Sequence, residues 1–344
     1  MVNLRWRDIA IIIVIVLISK LVLLHAADFK IEKFCMRWDG EHFIRLAKSG
    51  YQEDYQLVFA PAFPLSVRLV SSIGMATWKA AFIVANFFSI WPPLLILRKY
   101  GLKPAIFFAL NPAYVLFTTA PYSESMALTF AILAYLLKDR NSIAAGAVLG
   151  LSILTKYSMV LLFPAFLMDR KPLREMIKVV APVAASGLVI AIFFTLKAGS
   201  PFVYFSLEKG WGSELAGPIK QAKWLLDSWF SNQNWHIDDF KLTGFRWLVF
   251  HWIFVIPYTI GLLLLIWEKR FQEALLSAPT ILLEYLITGI PSVSASRLLL
   301  PAFPSWCVLG EKLGRKTYLF IPVVIFLLIT IHYTGLWHMK AFFG

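Results

Sequence analysis

Apolar stretches follow one another from residue 8 to residue 338, and many of the loops between them are short and basic. The basic loops are Arg98, Lys99 and Lys103; Lys138 and Arg140; Arg170, Lys171, Arg174 and Lys178; Lys269 and Arg270; and Lys312, Arg315 and Lys316. Only a membrane tolerates so many apolar runs in one chain, and Lys and Arg in short loops mark the cytoplasmic side. Composition agrees: 59% of the 344 residues are hydrophobic and 15% charged, against about 45–50% and roughly 25% in soluble domains. The net charge of +13 is spent on these loops. It forms no basic groove interleaved with aromatics, so nucleic acid is not an expected partner and membrane lipids are. Cys35 and Cys307 make neither a disulfide framework nor a zinc spacing.

The reading is an all-α, multi-pass integral membrane protein with one transmembrane domain over residues 1–344. Expected spans are 8–27, 78–97, 104–119, 122–137, 142–156, 157–169, 176–197, 246–267, 273–290, 297–311 and 317–338, about eleven in all. Several are shorter than the ~20 residues an upright crossing needs. Ile9–Leu24 has the look of a signal peptide but no small-residue cleavage site, and it reads as a first span and anchor. Residues 61–76, with Pro61, Pro64 and Arg68, read as a juxtamembrane helix in the interface rather than a span.

Two outer segments are long enough to hold a site, 28–77 and 198–245. Both mix acids with bases and both carry aromatics: Trp38, Phe43, Tyr51, Tyr55 and Phe59 in the first, Trp211, Trp224, Trp229, Phe230 and Trp235 in the second. Such rings commonly form an interfacial belt; with acids beside them they also suit a sugar-binding cleft. The first segment holds Arg37-Trp38-Asp39-Gly40-Glu41-His42-Phe43, with Asp39, Glu41 and His42 packed within four positions. Asp39 also reads as the start of a helix over 40–49. Ionisable residues at membrane depth are functional candidates by default, which singles out Glu124, Lys156, Glu284, Arg297 and Lys20. Lys20 and Glu284 are read as structural, Glu284 within a structural pair and without a catalytic role. His236, Asp238 and Asp239 suit acceptor contacts but read first as solvated loop.

The ordered motifs resemble one family. Trp38-Asp39 with Phe43, then Ile44 through Gly50-Tyr51, then Phe59-Ala60-Pro61-Ala62-Phe63-Pro64-Leu65, are similar to the first-loop signature of the GPI mannosyltransferase II (PIG-V) family. Asn111-Pro112-Ala113, Tyr122-Ser123-Glu124-Ser125, Trp211-Gly212 with Pro218, and Arg297-Leu298-Leu299-Leu300-Pro301 follow in the same order. Departures are Ala60 and Ala62 in place of larger residues and Lys156 where an arginine is expected. The chain is shorter than eukaryotic members, which fits a prokaryotic relative with another acceptor.

The resemblance implies a GT-C glycosyltransferase fold with a long first outer loop carrying juxtamembrane helices. It implies inverting transfer of mannose from a polyprenyl- or dolichyl-phosphate carrier to a lipid-linked or cell-surface glycan at the outer or lumenal face. The membrane would be the plasma membrane in a prokaryote or the endoplasmic reticulum in a eukaryote. In that reading Asp39 is the base, Arg297 and Lys156 hold the donor phosphate, and Glu41, His42, Glu124, Tyr122 and Trp211 contact sugar or acceptor. Glu124 either binds the sugar or pairs with Lys156 or Arg297. No cofactor is expected; a metal on Asp39, Glu41 and His42 is the lesser reading, because a lipid monophosphate leaving group does not need a divalent clamp. Two other classes fit a polytopic chain with buried charges: a polyprenyl-glycolipid flippase, and a non-catalytic subunit of a glycosyltransferase complex. The first is disfavoured by the lack of an internal repeat, the second by the presence of Asp39.

Overall fold

The computed structural model describes residues 5–168, 172–210, 214–230, 234–237, 240–288 and 295–340. Its helices are α1 (Trp6–Ala26), α2 (Ile31–Cys35), α3 (Asp39–Ser49), α4 (Ala62–Ser71), α5 (Thr77–Phe88), α6 (Trp91–Tyr100), α7 (Leu102–Ala109), α8 (Pro112–Thr119), α9 (Glu124–Leu137), α10 (Ser142–Thr155), α11 (Pro164–Leu167), α12 (Leu173–Ala198), α13 (Val203–Gly210), α14 (Pro218–Phe230), α15 (Gly244–Trp267), α16 (Phe271–Glu284), α17 (Ala295–Leu298), α18 (Phe303–Arg315) and α19 (Thr317–Lys340). Among the described residues, strand is confined to two small antiparallel pairs. In one, β1 (Glu214–Leu215) meets β4 (Ile287–Thr288); in the other, β2 (Asn234–Ile237) meets β3 (Phe240–Thr243).

The exterior of the bundle is apolar, the inverse of a soluble protein. On α12, Leu188, Val189, Ile192 and Leu196 are half or more exposed, and on α19 so are Ile321, Ile325 and Ile329, one stripe at four-residue spacing. Continuous apolar surface of this extent needs hydrocarbon against it. Inside, α1 turns Ile12, Val16 and Leu23 to the core, and the core continues through Phe108, Tyr114, Tyr258, Leu299 and Phe303. Helices come close where a side chain is missing: a Cβ on Gly261 of α15 would lie 2.0 Å from the Ser305 carbonyl oxygen of α18, the small-residue contact that lets membrane helices pack backbone to backbone.

Most stretches expected to span coincide with a helix or a broken helix, but 273–290 is helical only to Glu284, Ile287–Thr288 is strand, and 289–290 lie outside the described residues. Among the described residues, four are long and apolar enough to cross alone: Trp6–Ala26, Thr77–Tyr100, Leu173–Ala198 and Tyr318–Gly335. A fifth forms if α8 and α9, bent by 116°, count as one. The other apolar helices are shorter, so these helices do not by themselves fix eleven crossings. Helix α4 has 10 residues and rises about 15 Å, half the thickness of a bilayer core. It buries Phe63 and Val67 and exposes Leu65, Leu69 and, just past its end, Ile73, the two-faced pattern of a helix lying along an interface.

The break between α8 and α9 positions the site. Asn111 caps the start of α8, its Oδ1 accepting from the N–H groups of Ala113 (3.0 Å) and Tyr114 (3.2 Å). After only eight residues, Pro121 helps to end the run, since it carries no N–H to continue it. The carbonyls left open at the end of α8 are taken up from neighbouring helices. Lys20 of α1 donates to Thr118 O (2.9 Å) and to Asn86 Oδ1 (2.6 Å), and Asn86 of α5 donates through Nδ2 to Thr119 O (3.1 Å). A broken helix is tolerated at membrane depth only when its freed backbone groups find partners like these. The structural role expected of Lys20 is this cap.

Candidate active site

Asp39 is the first residue of α3, and its placement is forced from both sides. The preceding Trp38 has φ +51°, a left-handed value costing a bulky residue roughly 1–2 kcal/mol. The following Gly40 sits so close to its neighbours that a Cβ would lie 2.5 Å from the Cys35 carbonyl oxygen and 3.1 Å from Pro121 Cγ. Strain before the acid and a missing side chain after it let the start of α3 lie directly on the α8–α9 elbow. Backbone strain held in place by packing is characteristic of functional sites.

The elbow presents Tyr122 and Glu124 to that helix start, and two cations come from other elements. Arg297 of α17 donates to Asp39 Oδ2 and pairs through Nε with Glu124 Oε1 at 3.3 Å. Lys156, at the end of α10, donates to the same Glu124 oxygen at 2.7 Å. The guanidinium carbon of Arg297 lies 5.5 Å from the ring centre of Tyr122 and 5.8 Å from that of Phe117, so aromatic faces support the cation from beneath. Asp39, Arg297, Glu124 and Lys156 thus form one chain of alternating charge that sums to zero. The Glu124 side chain is 2% exposed, against 25% for Asp39. Asp39 is therefore the more exposed of the two acids, and Glu124 is buried.

Of the residues expected at the site, the structure brings Asp39, Tyr122, Glu124, Lys156 and Arg297 together, and Glu124 makes both of the pairings considered for it. Glu41 lies two residues further along α3, on another face of the helix, and pairs with Arg45 at 2.5 Å. The His42 ring stacks on Phe59 at 5.0 Å and meets Tyr55 edge-on at 6.2 Å. Trp211, Asp238 and Asp239 lie outside the described residues. Among the described residues no three His, Cys, Asp or Glu side chains converge as a metal-binding group. Sequence reasoning missed Gly40, Pro121 and Asn86. A glycine directly after the acid was a readable sign of close approach, while nothing in the local sequence of Asn86 points to the elbow.

Chemically, the cluster offers an accessible carboxylate beside two cations that an incoming anion can engage. A predominantly helical membrane protein with a largely buried, charge-neutral chain of two acids and two cations at a helix break is the class these features define. No protein-family model matches the chain. The relatives it matches include proteins named GPI alpha-1,6-mannosyltransferase 2. The protein of Mus musculus is 26% identical over 201 residues, 49% of this chain and 40% of its own length. That of Cricetulus griseus is 28% identical over 204 residues, 50% of this chain and 41% of its own. That of Homo sapiens is 25% identical over 203 residues, 49% and 41%. The chain is similar to these proteins over about half of its own length and about two fifths of theirs.

Proposed function

We propose that this chain is an inverting, GT-C-type mannosyltransferase of the membrane. It moves mannose from a polyprenyl-phosphate carrier to a glycan or glycolipid acceptor at the outer or lumenal face, with about eleven crossings and the basic loops between them on the cytoplasmic side. The observation that carries the reading is the single ion-pair chain of Asp39, Arg297, Glu124 and Lys156, built from segments far apart in sequence. The names of the relatives support the sugar and the reaction class.

The reaction needs few groups. The carrier phosphodiester is a monoanion and engages Arg297 and Lys156. As it takes Arg297, Asp39 loses its partner and becomes free to accept a proton. The acceptor hydroxyl oxygen attacks C1 of the mannose from the face opposite the phosphate. The C1–O bond to phosphate breaks, the hydroxyl proton passes to Asp39, and the electron pair leaves on the lipid phosphate between the two cations. One displacement inverts C1. A positioned carboxylate base contributes roughly 10²–10⁴-fold, and fixed cations at the leaving phosphate stabilise charge as it develops. Glu124, buried between Lys156 and Arg297, keeps both cations aimed before the donor arrives. The scheme calls on no cofactor.

The test is transfer of radiolabelled mannose from synthetic polyprenyl-phosphate mannose to an extracted lipid-glycan pool, by purified wild type and Asp39→Asn. Label entering a new product with wild type alone supports enzyme class, donor and base together. A wild-type protein that binds no donor overturns the reading and brings the flippase forward.

A further inference from the structure

One buried acid has no part in the scheme above. Glu284, the last residue of α16, is 3% exposed, and its Oε1 is shut off from solvent without a hydrogen-bond partner. The structural partner expected for it is not made at this oxygen. Thr280 Oγ1 one turn earlier and Ser277 Oγ two turns earlier are also buried without partners, and their spacing puts all three on one face of α16. Helix α16 packs against the turn Tyr157–Leu162 that directly follows Lys156, and Glu284 interacts electrostatically with Lys156, which ties this face to the ion-pair chain. Ser296 Oγ, beside Arg297, is likewise buried and unpartnered.

The second polar segment closes over this end of α16. Its β1 pairs with β4 just past Glu284, Ala216 N–H donates to Leu286 O at 2.8 Å, and Gln221 of α14 reaches the Glu284 carbonyl oxygen through Nε2 at 3.4 Å. An acid oxygen buried this way carries the full cost of desolvation unless something completes it. An anion is repelled by the carboxylate, an apolar chain leaves it unsatisfied, and a cation must compete with Lys156 and Arg297 for the same region. A hydroxyl group fits whichever form the acid takes: it donates to a carboxylate or accepts from a protonated acid, and exchanges a second hydrogen bond with a neighbouring Thr or Ser hydroxyl.

We propose that Glu284, with Thr280 beneath it, holds a hydroxyl of a sugar bound beside Lys156. This rests on the glycosyltransferase reading. The sugar is either the one carried on the donor or one on the acceptor, and the two are separable by experiment.

Binding of polyprenyl-phosphate mannose and of bare polyprenyl phosphate is measured on purified wild type, Glu284→Gln and Thr280→Val, with thermal unfolding of each as a folding control and the acceptor KM alongside. Loss of a hydrogen bond to a charged group corresponds to roughly 10–100-fold in affinity. For the donor sugar, Glu284→Gln weakens the mannosylated lipid by that factor and leaves the bare phosphate lipid unchanged, with a smaller effect in the same direction for Thr280→Val. For the acceptor sugar, both lipids bind as in wild type and the acceptor KM rises instead. Equal weakening of both lipids, or no change in any constant, overturns the proposal while leaving the transferase reading intact. A wild type that binds neither lipid sinks both. Thr280→Val keeps the proposal falsifiable if Glu284→Gln does not fold.

Discussion

Arg270 and Arg297 each gather acids from separate helices, yet they do so on different terms. Arg270, in the turn before α16, donates to Glu273 (2.8 Å), to Glu311 of α18 (2.7 Å) and to Glu268 (3.5 Å), and Glu268 also takes Lys312. Each carboxylate there has a donor. Burial pulls the Arg270 guanidinium down, but Glu311 and Glu273 beside it more than offset this and hold it above its usual range. Around Arg297 the pairing is incomplete: Glu124 Oε2 is buried and unpartnered, as is Glu284 Oε1 near Lys156. A saturated cluster fastens helices and offers nothing to a ligand. An unsaturated, charge-neutral one is stable enough to fold and still has bonds to make. The same residue types therefore read as structure at one cluster and as chemistry at the other.

The comparison breaks first if activity follows the wrong cluster. Asp39→Asn is expected to lower turnover roughly 10²–10⁴-fold with little change in unfolding temperature, because the amide still accepts from Arg297. Comparable loss of turnover on Arg270→Met, in protein that remains folded, would remove the distinction between the two arginines. The next effect is on stability. Lys156→Met leaves the Glu124 carboxylate charged, buried and short of a partner, and removal of one member of a buried pair costs about 3–5 kcal/mol. Adding Glu124→Gln is expected to recover part of that in denaturant or thermal unfolding while transfer remains lost. A double variant no more stable than Lys156→Met alone would show that the pair is not coupled.

Much of this was readable in the sequence, and the unread part has a physical cause. Apolar period and basic loops located the helices, since both follow from the bilayer. Asp39 stood out in the acid and histidine cluster of the first outer segment, and Glu124, Lys156 and Arg297 because charge at membrane depth is costly; their convergence accounts for that cost. Distance effects were hidden. That Gly40 touches Pro121, that Lys20 and Asn86 cap the elbow, and that Glu41 turns to Arg45 instead of the cluster are facts of tertiary packing with no local pattern. Glu284 was read as half of a structural pair because its surroundings, α14 and β1, come from a segment some 70 residues away. The number of crossings was also beyond sequence alone: an apolar run of 13 to 16 residues reads the same whether it is a whole tilted span or half of a bent one.

Arg270 itself gives the third effect. Arg270→Met strips donors from Glu273 and Glu311 in a partly exposed cluster, where each bond to a charged group contributes about 1–3 kcal/mol before solvent screening reduces it. A fall in unfolding temperature with transfer per folded molecule unchanged is the expected result.

The smallest effect is one of pH, and its sign separates the clusters again. The hydrogen bond from Lys312 holds the Glu268 carboxyl below its usual range, with Arg270 adding to it. A depressed carboxyl contributes stability that is present above its unfolded value, near 4.3, and is lost as pH falls through its folded value. Acidification below pH ~4.3 is therefore expected to loosen the Arg270 cluster, and Glu268→Gln is expected to flatten that part of the stability curve at neutral-pH cost no larger than an exposed ion pair. Because Glu268 touches none of the residues around Arg297, its substitution leaves the pH profile of mannose transfer where it was. A shift of that profile in Glu268→Gln would mean that the two clusters communicate through α16 and α18, and that the saturated one does more than fasten helices.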